Sequence, residues 1–278
     1  MPQALARRAR RAVVIGTTAV LVGLLTASSP TMAPLAGAVP RLWTTPLAGI
    51  VPPRNPPKNL APSPDFFAFC APNALDDKVA CNLKALQAID DARASEPLGP
   101  LHFSLQKFLR LSVPDQLFVI ADLERVSRGE PPMVALTAQL DAAAAAGAEA
   151  ARDPVASEAA LAGGAQVRAW GSNWAEGGES ALGADDGWMY DDGYGSSNYD
   201  CRSPNAAGCW GHRDNILRPW SSDLAGCASA DERLVMGAGF TSSAKIATSF
   251  AEIFVAACGP APAGAVYTWA EAEAAVGI

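Results

Sequence analysis

Gly211-His212-Arg213-Asp214-Asn215-Ile216-Leu217-Arg218-Pro219 sets a histidine, an arginine and an amide directly before an apolar pair and a proline. An imidazole can act as general base or metal ligand when a carboxylate fixes one of its ring nitrogens, because its pKa lies near neutrality. The same residues also have a structural reading, in which His212 and Asn215 cap and cross-brace the turn ahead of Ile216 and Leu217. Which reading holds depends on what the rest of the chain brings to the histidine.

Downstream, Arg233 to Phe240 and Ile246 to Ala257 read as two strands, joined by a turn at Thr241-Ser242-Ser243-Ala244-Lys245. Upstream, Asp185, Asp186, Asp191, Asp192, Asn198 and Asp200 crowd a Gly-rich stretch. Such oxygen ligands suit calcium, yet the EF-hand spacing is not met and a solvated, turn-rich loop has the same composition. Glu179 to Asp191 reads as a short helix. Trp170, Trp174, Trp188, Trp210 and Trp220 all fall in this region. Loops with that many aromatics are pinned to a core or shape a cleft, and a glycan or lipid is the functional alternative.

Further upstream the pattern turns helical. Leu83, Leu86 and Ile89 recur with alanines at helical spacing, which predicts a helix over 76–95. A second begins at Ser112, a capping hydroxyl, with Pro114 and Asp115 in its first turn and Leu117, Ile120, Ala121 and Leu123 inside; it should stop near Gly129. A third runs from Thr137 through the alanine-rich stretch to Arg152. Helices first and strands late predict an α+β or α/β chain.

At the N-terminus Arg7, Arg8, Arg10 and Arg11 precede an uncharged apolar run from Ala12 to Ala27, the layout of a signal peptide, with a cleavage site after Ala38. The run is shorter than the roughly 20 residues a membrane-spanning helix needs, so no permanent span is expected after cleavage. Prolines at 40, 46, 52, 53, 56, 57, 62 and 64 make residues 39–65 an extended spacer. Loss of residues 1–38 removes four arginines and no acid, so the formal charge becomes 17 − 28 = −11 in place of −7. That balance excludes nucleic acid and anionic membrane surfaces as natural partners. Six cysteines in an exported chain predict disulfides. Their order invites the pairs Cys70–Cys81, Cys201–Cys209 and Cys227–Cys258, among 15 possible connectivities.

The quoted stretch, with Met236-Gly237-Ala238-Gly239-Phe240 some twenty residues on, resembles the GHR-x-NIL signature of the CAP superfamily in its bacterial form, the secreted cysteine-rich, antigen 5 and pathogenesis-related domain. Leu123-Glu124-Arg125 with Gly129 is similar to that family's opening helix, Leu140 with Ala143 to its second, Gly171-Ser172-Asn173-Trp174-Ala175 to its GEN segment, and Trp188-Met189 to the tryptophan before its histidine motif. The resemblance covers about Pro114 to Gly259. It implies an α+β fold, a three-layer α-β-α sandwich with a small antiparallel sheet, here preceded by helices. It also implies a cleft with two histidines and two acids. His212 matches one histidine. The second is implied near Asp153-Pro154, where none stands. Ser172 replaces the GEN glutamate, and the second acid maps onto Asp191. The insertion from Asp191 to Gly208 is an addition.

These readings divide the chain into a signal peptide (1–38), spacer (39–65), helical extension (66–112), CAP-like domain (113–260) and C-terminal tail (261–278). They predict a secreted or envelope-associated domain that binds a lipid, cell-wall or protein ligand around His212, with Trp174, Trp188, Trp210, Arg213 and Asn215 as contacts. The enzymatic alternative is a hydrolase with His212 as general base, Asp191 orienting it, and Ser172 or Asn173 polarising the substrate. A structural envelope protein is the third reading. No cofactor motif is present: there is no G-x-G-x-x-G, P-loop or haem attachment site, no C-x-x-C to suggest a metal, and no G-x-S-x-G nucleophile elbow.

Overall fold

The computed structural model describes residues 55–56, 58–73, 78–155, 165–177, 179–242, 248–260 and 264–278. The expected signal segment and most of the spacer lie outside them, as do residues 243–245 of the expected turn. The helices are α1 (Phe66–Asn73), α2 (Lys78–Ser95), α3 (Leu105–Phe108), α4 (Val113–Ser127), α5 (Ala138–Glu149), α6 (Ala181–Tyr190), α7 (Gly211–Leu217) and α8 (Trp269–Val276). The strands are β1 (Ala135–Thr137), β2 (Gln166–Glu176), β3 (Glu232–Thr241), β4 (Ser249–Cys258) and β5 (Ala265–Thr268).

Local chemistry starts the helices where side-chain hydroxyls meet free amides. Ser112 Oγ accepts from Asp115 N at 3.3 Å to open α4, Thr137 Oγ1 from Leu140 N at 3.4 Å to open α5, and Ser180 Oγ from Gly183 N at 3.2 Å to open α6. Thr268 and Glu271 form a reciprocal capping box on α8. Gly129, with φ +85°, follows the last turn of α4.

The chain is α+β, and the five strands among the described residues run in the order β2-β4-β3-β1-β5. The sheet is mixed, not antiparallel as expected: β1 pairs parallel with β3, while β2 with β4, β3 with β4 and β1 with β5 are antiparallel. Alternation along the strands sends side chains to two apolar clusters. Val235, Ile253, Val255 and Ala257 meet Leu140 and Ala144 of α5. Met236, Ala238, Phe254 and Ala256 belong to the larger cluster, with Phe118 and Ile120 of α4, Met189 of α6, Ile216 of α7 and the buried Trp220. Helix α5 lies so close to β3 that a Cβ on Gly237 would fall 2.2 Å from the Leu140 carbonyl carbon, and one on Gly239 would fall 2.2 Å from Ala145 N.

Two expected boundaries dissolve. Residues 66–112 are no separate extension, since Phe66, Cys70, Cys81, Ala85, Ala88 and Ile89 join the larger cluster. Residues 264–278 belong to the core and not to a tail, because β5 pairs with β1 and α8 buries Trp269, Ala272 and Val276 in the same cluster. Charge binds the first of these segments in as well. Arg93 of α2 meets Glu124 of α4 at 2.5 Å, Glu96 just beyond α2 meets Arg128 at 2.7 Å and Arg213 of α7 at 2.7 Å, and Tyr190 of α6 donates to Glu124 at 2.9 Å. Arg128 also pairs with Glu124. Burial alone would raise Glu124, but Arg93 and Arg128 hold its pKa below the ordinary value. The network closes the helix ends around α7 and so fixes where His212 emerges.

The three disulfides are Cys70–Cys81, Cys201–Cys209 and Cys227–Cys258, as the cysteine order suggested. Among the described residues no helix is long and apolar enough to cross a membrane.

Candidate functional site

His212 is the second residue of α7, and what it meets is decided where α6 ends. Asp191, the residue expected to orient it, is the cap of α6 with φ −126° and ψ 50°. That backbone turn delivers Asp192, one residue later, to the imidazole. Asp192 Oδ1 lies 2.6 Å from His212 Nδ1, and its Oδ2 accepts from the backbone N–H of His212 at 2.9 Å and of Arg213 at 3.4 Å. The amide of Asn198 donates to the same Oδ1 at 2.7 Å. Asp192 is thus wholly engaged and 1% exposed. Asp191 lines the neighbouring cleft instead, where burial and then the charge of Asp192 push its carboxyl up.

On the other ring nitrogen, His212 Nε2 faces Asp153 Oδ1 at 3.7 Å. Asp153 follows the C-terminal turn of α5, where the family resemblance implied a second histidine, so a carboxylate occupies that place. Burial tends to push the imidazole down, yet its contacts with Asp153 and Asp192 prevail and raise it to about 10. Two carboxylates facing the ring thus favour its protonated form.

Behind α7 a second polar layer continues into the sheet. Asn173 of β2, fully buried, donates to the His212 carbonyl at 3.0 Å and to Glu252 Oε1 of β4 at 2.7 Å, and accepts from Asn215 Nδ2 at 2.9 Å. Asn215 also donates to Ser172 O at 2.9 Å. Burial raises Glu252 to about 8, with the Asn173 bond acting against it. Glu252 was not singled out from sequence, although a lone acid inside the apolar run Ser249–Cys258 is a legible oddity.

The cleft above His212 has a volume of about 460 Å3 and opens along the edge strand β2. Its walls come from the end of α5, from Trp174 and Glu176 of β2, from Trp188 of α6, and from Asp191, Asn198, Tyr199 and Asp200 of the long connection to α7. Of the expected contacts, Trp174 and Trp188 therefore belong to it. The others do not. Arg213 is fully buried and bonded to Met189 O and Glu96, Asn215 braces β2, and Trp210 packs its ring against Gly193 while capping α7 in the left-handed region at φ 62°. Ser172 and Asn173 do not line the cleft either, so neither is placed to polarise a substrate there.

Metal chemistry is poorly served by this arrangement. His212 Nε2 has one carboxylate near it, Asp153 at 3.7 Å, fewer ligands than a metal site uses, and a metal there would have to displace the ring proton. Among the described residues no group of three or more His, Cys, Asp or Glu side chains converges as a metal site. The calcium reading also loses two ligands, because Asp185 and Asp186 are buried within α6 and not displayed on the loop. All six cysteines are in disulfides, so no thiol is available as nucleophile.

Comparison of the chain with protein-family models, with curated proteins and with solved structures finds no match in any of the three.

Proposed function

We propose that this is a secreted, CAP-like binding domain whose ligand site is the cleft over His212. The observation that carries the reading is the clamp on that histidine, between Asp192 at 2.6 Å and Asp153 at 3.7 Å. Both carboxylates favour the charged ring and raise its pKa to about 10, which makes His212 a cation at neutral pH in this reading and a poor base. A general base would need a neutral ring with Nε2 free towards the substrate. The charge-paired imidazolium instead serves as a rigid donor on the floor of a cleft walled by indole and carboxylate.

Support for the CAP-like assignment is the histidine motif on a short helix beside a mixed sheet that packs against helices. Secretion is supported by the basic and apolar N-terminal residues together with three disulfides.

The test is to follow the His212 ring resonances while offering lipids, soluble cell-wall fragments and peptides, and to assay the same compounds for turnover. Saturable shifts at His212 without chemical change are the expected result. Hydrolysis that disappears in a folded His212→Asn variant would replace the binding reading with the enzymatic one.

A further inference from the structure

The connection between α6 and α7 has a composition unlike the rest of the chain: Tyr194-Gly195-Ser196-Ser197-Asn198-Tyr199-Asp200-Cys201-Arg202-Ser203. Tyrosine, serine, glycine and asparagine together are the vocabulary of loops that recognise other molecules, tyrosine for rigid amphipathic area and the small residues for adaptable hydrogen bonds. Here the tyrosines are displayed. Tyr194 is 57% and Tyr199 71% exposed, among the most exposed large side chains described. Both line a second, open concavity of about 480 Å3, together with Ser196, Ser197, Asn198 and Arg202.

The loop is built to hold this shape. Cys201–Cys209 staples the segment after the tyrosines, and Asn198 ties the tyrosine-bearing part to Asp192 O at 3.1 Å and to Gly208 O at 3.0 Å. From the far end of the proline-rich spacer, Asn59 Oδ1 accepts from Gly193 N at 2.7 Å and its Nδ2 donates to Tyr194 O at 3.0 Å, while Leu60 N donates to Tyr190 O at 2.8 Å. Arg202 donates to Tyr199 O at 2.9 Å and lays its guanidinium 5.9 Å from the centroid of that ring. Little ordering cost remains for a ligand, which is the purpose of preorganisation.

We propose that this stapled loop is a carbohydrate-recognition element, taking uncharged sugar rings of a glycan in the concavity lined by Tyr194 and Tyr199, beside the His212 cleft. The assignment deepens the binding reading above and rests on it. Sugar rings present an apolar C–H face and a hydroxyl edge, and the wall offers aromatic faces ringed by hydroxyl, amide and guanidinium groups. A lipid tail would need an apolar lining, but every wall side chain other than glycine and the disulfide carries a polar group. Charge selects among glycans. The adjoining cleft sets Asp153, Glu176, Asp191, Asp192 and Asp200 against Arg152 and His212, so acidic polymers are repelled. The two cavities share Ser197, Asn198 and Tyr199 on their walls, so a glycan held in one lies beside the other.

The experiment is depletion of the purified secreted chain by insoluble chitin and cellulose, with polygalacturonate as the acidic control, for wild type, Tyr194→Ala, Tyr199→Ala, Tyr199→Phe and His212→Asn. Binding to a neutral polymer, with none to polygalacturonate, is expected. Each Tyr→Ala change should weaken it by about tenfold, as lost apolar cover on one ring face implies, and Tyr199→Phe should retain most of it. Because both side chains are exposed, unchanged unfolding midpoints will show that these variants are folded. The assignment is overturned if neither neutral polymer binds wild type, or if the alanine variants bind as well. If other compounds then still shift the His212 resonances, the glycan assignment alone has failed. If a glycan binds and is cleaved, with cleavage lost in His212→Asn, the binding reading has failed and the glycan assignment stands.

Discussion

Replacing Asp192 with asparagine changes one charge and almost no volume, so it isolates what the carboxylate does for His212. Moving the imidazole from 6.5 to about 10 against the opposing effect of burial corresponds to roughly 5 kcal/mol of preference for the protonated ring, at about 1.4 kcal/mol per pH unit. Asp192, at 2.6 Å and buried, carries the larger part, because Asp153 stands at 3.7 Å with its side chain 43% exposed and is screened by water. The Asp192→Asn variant should therefore bring His212 down by two pH units or more. The assay is an NMR titration of the ring protons from pH 5 to 10.5, with exposed His102 as the second imidazole in the same spectra. The sign of the stability linkage follows. A folded-state pKa above the unfolded value gives stability that is complete below about 6.5 and lost as pH rises through about 10, so the variant should be destabilised most at neutral pH and least near pH 10.5. A wild-type His212 that titrates near 6.5, or an Asp192→Asn variant that leaves it unmoved, would refute the imidazolium and the binding reading built on it.

Glu252 makes the same argument from the acid side. Its folded-state pKa of about 8 against 4.5 means that the native state binds the extra proton, so stability falls as pH rises between those values. In Glu252→Gln the urea-unfolding free energy should lose up to about 1.4 kcal/mol per pH unit of that slope; an unchanged slope counts against a protonated Glu252. Gly237→Ala should cost several kcal/mol, about 3 or more, or abolish folding, because the new methyl meets the backbone of α5 and not a side chain that can swing away. A thermal midpoint within a degree of wild type would show that α5 can shift. Removing Cys227–Cys258 by paired serine substitution should cost about 2–5 kcal/mol in chemical denaturation, since it unties the segment before β3 from the end of β4. Full stability on reduction would mean that the sheet alone holds that junction.

How far each element was legible depended on whether its cause is local. Helices α4 and α5 were read correctly because their start signals, Ser112 with Pro114 and Thr137, act within one turn. Strands β3 and β4 announced themselves as continuous apolar runs of a buried sheet. Strand β2 did not, because Gly171-Ser172-Asn173 has little strand propensity. What holds it is distant: the ladder to β4, Asn215 bonding to Ser172 and Asn173, and Glu252 on the facing strand. In the site, His212 was legible from its motif, but its partner was displaced from Asp191 to Asp192 by the backbone turn at the end of α6, which spacing alone does not reveal. Asp153 was passed over because a histidine was sought there, and the carboxylate answers the same imidazole from the opposite side.

The place of α8 in the core bears on how the chain reaches this state. Val276 is fully buried, its carbonyl accepts from Ser104 N at 2.9 Å, and Trp269 packs edge-on against Phe118 with ring centroids 6.2 Å apart. A polypeptide emerging from its N-terminus cannot seal that cluster until α8 has followed α4, α6 and β4. Vectorial synthesis would therefore leave the cluster open and incompletely packed until α8 is made. Contacts so distant in sequence, and not the local helices, should set the rate at which the core closes.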